Sequence, residues 1–357
     1  MTTLNKKKSK KIILIIVAVL IVVLIAVAQV ATFAVYNETF NIRYSSANDK
    51  SLLTFNDFDS LSKQEAEFVS NKGQKLSGDF YMQKSDEKDY KAVVVLSHGF
   101  GGGGYISYLP QINYLAQNGY LVFAFDNTGN DESEGNSVVG LPQGIIDLDY
   151  ALDYVRQQDI SKNLPIMLYG HSWGAYSTCA VLETENDIKA VASLSGFNKS
   201  KDMLIDQGIS MYGSYVKMLS PFLSVCDFVK FGKYSSYSSY KGLEKTNAKV
   251  LIIHSDDDDM INIENSFDLY QEKLGNRPNL TFMRMTGKVH QVFQSQSNRD
   301  YNKQKNVEFR KIKEANGNKM TDEMMNDFFK DYDSELANEL DLDVMKKIVD
   351  FYDSSIK

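Results

Sequence analysis

Residues 170–174, with the sequence GHSWG, constrain this chain more than any other stretch. The apolar residues 164–169 before them predict a short buried strand, and residues 175–182 after them are typical of the start of a helix. A serine on so tight a strand-to-helix turn takes a strained backbone conformation that pushes its hydroxyl clear of the sheet. The flanking glycines are required because a Cβ there would strike the neighbouring strand or helix. We therefore expect Ser172 to be a nucleophile.

A serine hydroxyl needs a base to take its proton and an acid to orient that base, and in this arrangement the chain order is serine, acid, histidine. Of the four histidines, His98 and His171 precede the serine, and His254 ends an apolar run that predicts a strand. His290 lies instead in a loop after the strand-like residues 280–285. A base would be presented there, at the carboxyl end of a last strand. We therefore expect His290 to be the base rather than an exposed or structural residue.

The acid is expected between the serine and His290, just past a strand. Residues 255–261, with the sequence SDDDDMI, follow the strand that ends at His254 and carry four consecutive aspartates. Four adjacent carboxylates repel one another unless they are solvated or one of them pairs with a cation. A solvated turn or a helix N-terminus would also suit them. The residues alone leave open which aspartate faces the histidine.

The backbone donors for an oxyanion are expected in the turn after an earlier strand. Residues 92–97 predict such a strand, and residues 98–104, with the sequence HGFGGGG, follow it. A glycine-rich turn that enters a helix exposes backbone N–H groups to an anion. A phosphate cradle would end in Lys-Ser or Lys-Thr, which this turn lacks. The turn is therefore better suited to an oxyanion.

Taken together, these segments resemble the α/β-hydrolase family. The resemblance covers the chain from about Glu65 to the C-terminus, with insertions. In the segment 126–135, Thr128 and Asp131 replace the usual Arg and Gly of the family. The segments that carry it are residues 98–99, 126–135, 170–174, 255–261 and 287–290.

The resemblance also implies which residues complete the site. The acid of the family stands three residues after a small residue that ends the strand and three before an apolar one. Ser255, where the family often has glycine, and Ile261 fit those places and select Asp258. The oxyanion donors implied are the backbone amides of Phe100 and Trp173. The implied catalytic triad is Ser172, Asp258 and His290.

The N-terminus predicts a membrane anchor. Five lysines within residues 6–11 precede residues 12–35, which carry no charge. As a helix this run spans roughly 36 Å, enough to cross a bilayer with some tilt. The lysines predict a cytoplasmic tail over residues 1–11 and a catalytic domain outside the cell membrane. The alternative is a signal peptide cleaved after Ala28, although the apolar run continues past that site.

Residues 36–64 predict a tether, and residues 65–357 the hydrolase domain. In that domain residues 65–70 and 75–83 predict a hairpin, and six apolar runs then alternate with helical stretches. This alternation predicts an α/β fold with a mostly parallel central sheet and helices on both faces. Residues 198–248 predict a cap whose Met and aromatic side chains either pack on the core or line an apolar acyl site. Residues 291–339 predict a solvated helical insertion.

The charge balance excludes some classes of partner. The net charge is −7, and the lysines of the N-terminus match a membrane flank, so nucleic-acid binding is not expected. No cysteine–histidine cluster has the spacing of metal ligands, and neither a metal nor a cofactor is expected. The chain has only two cysteines, Cys179 and Cys226, so the fold is not expected to depend on disulfides. One disulfide between these two is the alternative.

Three classes of function fit the sequence. The leading one is a serine hydrolase that cleaves an ester, thioester or amide of a small-molecule or acyl substrate through an acyl-enzyme, with a short-peptide peptidase as a variant. An acyltransferase would use the same triad with an acceptor other than water. A non-catalytic surface binding protein is disfavoured because the serine, aspartate and histidine are all present. The sequence does not predict an oligomeric state.

Overall fold

The computed structural model describes residues 2–85 and 89–356, so Met1 of the predicted tail and Lys357 of the predicted hydrolase domain lie outside the described residues. Within these ranges a single sheet of eight strands has the order β1-β2-β4-β3-β5-β6-β7-β8. The strands are β1 (Leu61–Val69), β2 (Lys75–Gln83), β3 (Val93–Ser97), β4 (Leu121–Phe125), β5 (Ile166–His171), β6 (Ile188–Leu194), β7 (Lys249–Ser255) and β8 (Leu280–Met285).

The hairpin β1–β2 is antiparallel and joins the sheet through an antiparallel pairing of β2 with β4. Strands β3 to β8 all pair in parallel. The three strands β3, β4 and β5 are buried along their whole length, which explains why they are continuous apolar runs. The predicted mostly parallel sheet is confirmed.

Helices cover both faces of the sheet. One face packs on α2 (Leu109–Gln117) and the C-terminal α12 (Leu342–Ile356), with a core that includes Leu96 and Tyr352. The other face packs mainly on α3 (Gln143–Gln157), α4 (Trp173–Ala180), α7 (Ser239–Lys245) and α8 (Phe267–Leu274), with a core that includes Phe123 and Trp173. Because β3 to β8 run in parallel, their carboxyl ends lie along the same edge of the sheet.

The N-terminal α1 (Thr2–Phe40) is one continuous helix. Its stretch Lys8–Phe40 is long and apolar enough to cross a membrane, and its most apolar residues are not buried by the rest of the chain. A helix of this kind is consistent with an anchor or with a signal sequence. It runs five residues beyond the predicted span, and Tyr36 and Phe40 are each only 2% exposed because they pack on the domain.

Residues 41–60, within the segment predicted as a tether, also contact the domain. Tyr44 forms an isolated β-bridge with Asn130. The hydroxyl of Ser46 donates to Asp131 at 2.6 Å. Strand β1 begins at Leu61, so the last four residues of that segment belong to the sheet.

The cap predicted over 198–248 consists mainly of α5 (Ser200–Tyr212), a 3₁₀ turn (Ser214–Leu219), α6 (Ser220–Phe231) and α7. Its apolar side chains divide into two groups: Ile205, Leu223 and Phe231 are buried, whereas others point to solvent. The insertion predicted over 291–339 contains α9 (Gln296–Ala315), α10 (Asp322–Lys330) and α11 (Ser334–Ala337).

Candidate active site

Ser172 occupies a strained turn between β5 and α4. Its backbone angles, φ 56° and ψ −113°, are unfavourable for a residue with a Cβ. A Cβ on Gly170 would lie 2.4 Å from the carbonyl oxygen of Gly174, and a Cβ on Gly174 would lie 1.8 Å from that of Ser97. Only glycine fits at either position. The N–H of Ser172 donates to Leu194 at 2.9 Å, and the serine is half-buried between buried neighbours.

The carboxylate of Asp258 lies against the ring of His290. Nδ1 of His290 is 2.9 Å from Oδ2 and 3.0 Å from Oδ1 of Asp258. Oδ1 also accepts the backbone N–H groups of Met260 and Ile261, each at 2.9 Å. Burial would raise the pKa of Asp258, but the contacts with His254 and His290 hold it well below its ordinary value. An ionised acid requires a proton on Nδ1 and leaves Nε2 as the basic atom.

The other three aspartates of the run face elsewhere. Asp256 accepts a hydrogen bond from Arg284 at 2.6 Å. Asp257 accepts the backbone N–H of Gly287 at 3.0 Å, and Asp259 is exposed. Among the four, the structure therefore brings Asp258 to the ring of the candidate base.

A second imidazole, that of His254, contacts the same carboxylate. Its Nε2 lies 3.0 Å from Oδ2 of Asp258, and both side chains are 1% exposed. The angle of approach is poorer than that of a regular hydrogen bond. Sequence analysis placed His254 only at a strand end, because nothing in the local pattern shows that the loop after β7 folds back onto it. The spacing of four residues to Asp258 is the one signal that could have suggested the contact.

Hydrogen bonds join the glycine-rich turn to the loop of the candidate base. The N–H of Gly99 donates to the hydroxyl of Tyr108 at 2.9 Å, and that hydroxyl lies 2.8 Å from Nδ1 of His171. Nε2 of His171 lies 3.2 Å from the carbonyl oxygen of His290. A carbonyl only accepts, so the proton is on Nε2 and Nδ1 accepts from the tyrosine. Burial lowers the pKa of His171 to about 3, so the ring stays neutral. Sequence analysis excluded His171 as the base and missed this role.

The candidate oxyanion donors are the N–H groups of Phe100, in the turn after β3, and of Trp173, in the turn after β5. Within residues 2–85 and 89–356, no protein atom accepts a hydrogen bond from either N–H group. Their rings pack edge to face with centroids 5.5 Å apart. Nε1 of Trp173 donates to the carbonyl oxygen of Leu141 at 2.7 Å, which fixes the indole. Both backbone positions are therefore held by packing while their N–H groups are left for an anion.

All these groups follow parallel strands at one edge of the sheet. The glycine-rich turn follows β3, the serine follows β5, the aspartate follows β7 and the histidine follows β8. An ionised carboxylate, a histidine, a serine hydroxyl and two N–H donors are the components of acyl transfer by nucleophilic catalysis. In the described residues, no group of three or more His, Cys, Asp or Glu side chains could hold a metal ion. Cys179 and Cys226 are unpaired and buried.

Two open cavities border this edge. One of about 1060 Å³ lies between the helical insertion and residues 45–52, and Tyr108, Val289 and Phe293 line it beside His290. The other, about 950 Å³, lies between α5 and the aspartate loop. The helical insertion therefore borders a cavity beside the neighbours of His290, and α5 borders a cavity lined by Asp258.

Part of this chain resembles a known protein family in sequence. Residues 88–238 match the sequence profile of a family described as serine aminopeptidase, S33. No curated protein matches the chain.

Several solved structures share the fold. The esterase Pf2001 of Pyrococcus furiosus superposes with a TM-score of 0.56 at 16% identity, over 85% of this chain and 96% of that one. DcsB, solved in complex with its substrate analogue, gives 0.53 at 12% identity, over 83% and 99%. The acylaminoacyl peptidase of Pyrococcus horikoshii gives 0.50 at 20% identity, over 66% of this chain and 39% of that one.

Proposed function

Since the chain belongs to the α/β-hydrolase family, as its sequence motifs predicted, we propose that it is a serine hydrolase of carboxylic esters. The observation that carries the proposal is the contact of the ionised Asp258 with Nδ1 of His290, at 2.9 Å. The ring of His290 packs 4.8 Å from that of His171, the residue before Ser172, and Ser172 itself is held at a φ of 56°. A buried carboxylate in this position prepares the opposite nitrogen of the ring for proton transfer.

The proposed reaction has two halves. Ser172 Oγ attacks the carbonyl carbon of the substrate while Nε2 of His290 takes its proton, and the amides of Phe100 and Trp173 bind the oxyanion. His290 then gives the proton to the leaving alcohol, the carbon–oxygen bond breaks, and an acyl-serine ester remains. In the second half water attacks that ester while His290 takes the proton of the water. His290 then returns the proton to Ser172 Oγ as the bond between this oxygen and the acyl carbon breaks, and the acid is released.

An ester is preferred as substrate, and a short peptide is the second candidate. The likeness to the esterase Pf2001 extends over most of this chain, which supports the first. The matching family profile is named for aminopeptidases, which supports the second. An aminopeptidase must recognise a free amino terminus, whereas an esterase needs no such group. The two are therefore distinguished by comparing substrates with and without a free amine.

The membrane anchor belongs to this proposal. The apolar helix Lys8–Phe40 supports an N-terminal helix that holds the catalytic domain at the outer side of the cell membrane. The hydrogen bonds of the helix to the domain begin at Gln29, one residue past the alternative cleavage site after Ala28.

The proposal is tested by a turnover screen of the full-length chain in detergent, with Ser172→Ala as the inactive reference. The panel contains short-chain esters, N-acylated amides and aminoacyl amides with a free amino terminus. We expect ester turnover that Ser172→Ala abolishes. Faster turnover of the free aminoacyl amides would favour the peptidase. Product analysis with an added alcohol separates transfer from hydrolysis, and no turnover of any class would favour the binding protein.

A further inference from the structure

The cap exposes a set of large apolar side chains. They come from the end of α5, the 3₁₀ turn that follows it and α6, and each is more than 60% exposed. We call this set the outer cap face: Met211, Tyr212, Tyr215, Met218, Phe228 and Val229. A group of exposed large apolar side chains on elements that contact one another is typical of a protein or membrane contact.

The same helix that carries some of the outer cap face packs on the apolar α1. Nε2 of Gln29 donates to the carbonyl oxygen of Phe222 at 3.3 Å and lies 3.5 Å from Sγ of Cys226. Seven residues further along α1, the hydroxyl of Tyr36 donates to Asp227 at 2.6 Å. The contacts advance along both helices together, so α6 runs beside the last turns of α1 in the same direction.

These contacts fix the position of α6 along the length of α1. Gln29 precedes the end of the uncharged run at Val35 by six residues, which is about 9 Å along a helix. The start of α6 therefore lies alongside the uncharged stretch of α1. Met218 lies two residues before the start of α6 at this end.

A lysine near the other end of α6 lies beside the end of the uncharged run of α1. Nζ of Lys230 lies 5.8 Å from the ring centroid of Phe33 and 5.6 Å from that of Tyr36, where the uncharged run ends. Lysine and tyrosine side chains are typical of the boundary between hydrocarbon and headgroups. Phe228 lies on the same helix just before this lysine, on the side away from the buried Leu223 and Cys226, and the exposed Val229 follows it in the chain.

We propose that the outer cap face is a second membrane-contact surface, which inserts among the lipids of the leaflet that α1 crosses. The proposal rests on the proposed anchor. The bilayer is the occupant because a cap fixed to α1 at the depth of Gln29 cannot stay outside the lipid that surrounds α1. Exposed side chains at that depth face lipid rather than water.

The consequence concerns the substrate. The ring of Phe40, in the last turn of α1, contacts the ring of Phe100, whose amide is a candidate oxyanion donor. Anchor, cap and oxyanion turn are therefore one packed unit, and the candidate active site is held at the lipid surface. We infer that the ester hydrolysed is one that resides in the bilayer.

The test uses the full-length chain in lipid nanodiscs and tryptophan as the probe. The one native tryptophan, Trp173, is fully buried and gives a constant background. Phe228→Trp places a probe on the outer cap face, and Val307→Trp places a matched probe on α9, at a residue that is 38% exposed. With brominated lipid tails, we expect the emission of Phe228→Trp to be about twofold more quenched than that of Val307→Trp. Equal quenching would overturn the proposal, as would an emission that is blue-shifted but not quenched, since that would indicate a protein partner.

A second measurement separates this proposal from the proposed function. Phe228→Asp is expected to hydrolyse a water-soluble short-chain ester as the native chain does. It should hydrolyse an ester dissolved in the nanodisc about tenfold more slowly, while Val307→Asp changes neither rate. If Phe228→Asp hydrolysed the ester in the nanodisc as fast as the native chain does, the inference would be contradicted. If the native chain hydrolyses neither ester, the proposed function fails, and the quenching result still decides the membrane contact.

Discussion

The ring of Phe40 meets the ring of Phe100 edge to face, with their centroids 6.1 Å apart. The first belongs to the last turn of the apolar N-terminal helix, and the second belongs to the turn that supplies a candidate oxyanion donor. Phe40 is 2% exposed and also packs on Tyr36 at 4.8 Å. The N-terminal helix is therefore structurally integral to the domain that carries the candidate active site.

We predict that Phe40→Ala lowers both stability and turnover. The loss of a buried phenylalanine should reduce the free energy of unfolding by about 3 kcal/mol. It should also lower kcat, because the turn that carries Phe100 loses a packing partner. Denaturant unfolding and ester kinetics in detergent measure the two effects, with the exposed Val35→Ala in the same helix as control. A Phe40→Ala variant as stable and as active as this control would show that the contact has no such role.

We predict that Asp258→Asn lowers kcat about ten-thousandfold, because the neutral amide no longer fixes the proton on Nδ1 of His290. Asp259→Asn, at the exposed neighbour, is expected to keep native activity. Asp256→Asn and Asp257→Asn should also cost far less, since these carboxylates contact Arg284 and Gly287. Steady-state kinetics of the four variants decide the assignment. A larger loss at any neighbour would identify a different acid.

We predict that His98 makes the fold sensitive to acid. Burial lowers the pKa of His98 to about 4, compared with about 6.5 in an unfolded chain. Between these values the unfolded chain binds a proton that the folded chain does not. His98 therefore does not lower the free energy of unfolding above about pH 6.5. As the pH drops from there to about 4, this free energy falls by up to about 1.4 kcal/mol per pH unit.

The variant His98→Gln removes this titration. Its free energy of unfolding, measured by urea denaturation across the same window, should depend less on pH than that of the native chain. His171, whose pKa burial also lowers, stays in place in both proteins and contributes equally. Parallel curves for the variant and the native chain would contradict the prediction.

We predict that the mature protein keeps residues before Ala28 and carries its catalytic domain outside the cell. The physical reason is that the apolar run continues to Val35, beyond the possible cleavage site. Mass spectrometry of the purified N-terminus tests the first expectation, and protease treatment of intact cells tests the second. A mature chain that begins at Gln29 would establish a signal peptide, and a domain protected until the cells are lysed would reverse the topology.

The strands were predictable because parallel strands buried on both faces must be apolar runs. The predicted strand over residues 92–97 and the observed β3 (Val93–Ser97) differ by one residue at the start. The glycines at 170 and 174 were predictable for a related reason, since their Cβ atoms would overlap neighbouring backbone. Where packing allows only one type of residue at a position, the sequence pattern is enough to predict the local structure.

Contacts between distant segments were not predictable in the same way. The bond of Tyr36 to Asp227 joins residues 191 positions apart, and neither lies in a pattern that points to the other. The apolar residues of the cap lie on both sides of α6, so their periodicity does not separate the buried Leu223 from the exposed Phe228. Such relations depend on how the elements pack, which the local sequence does not specify.

The central claim, that Ser172 is an activated nucleophile, is tested most directly with a fluorophosphonate probe on the full-length chain, followed by peptide mass spectrometry. We predict one covalent adduct on Ser172, its loss in Ser172→Ala, and unchanged labelling in Ser236→Ala, which removes an exposed serine of the cap. His290→Ala should label far more slowly, since the base is missing. Labelling that persists unaltered in Ser172→Ala would contradict the account.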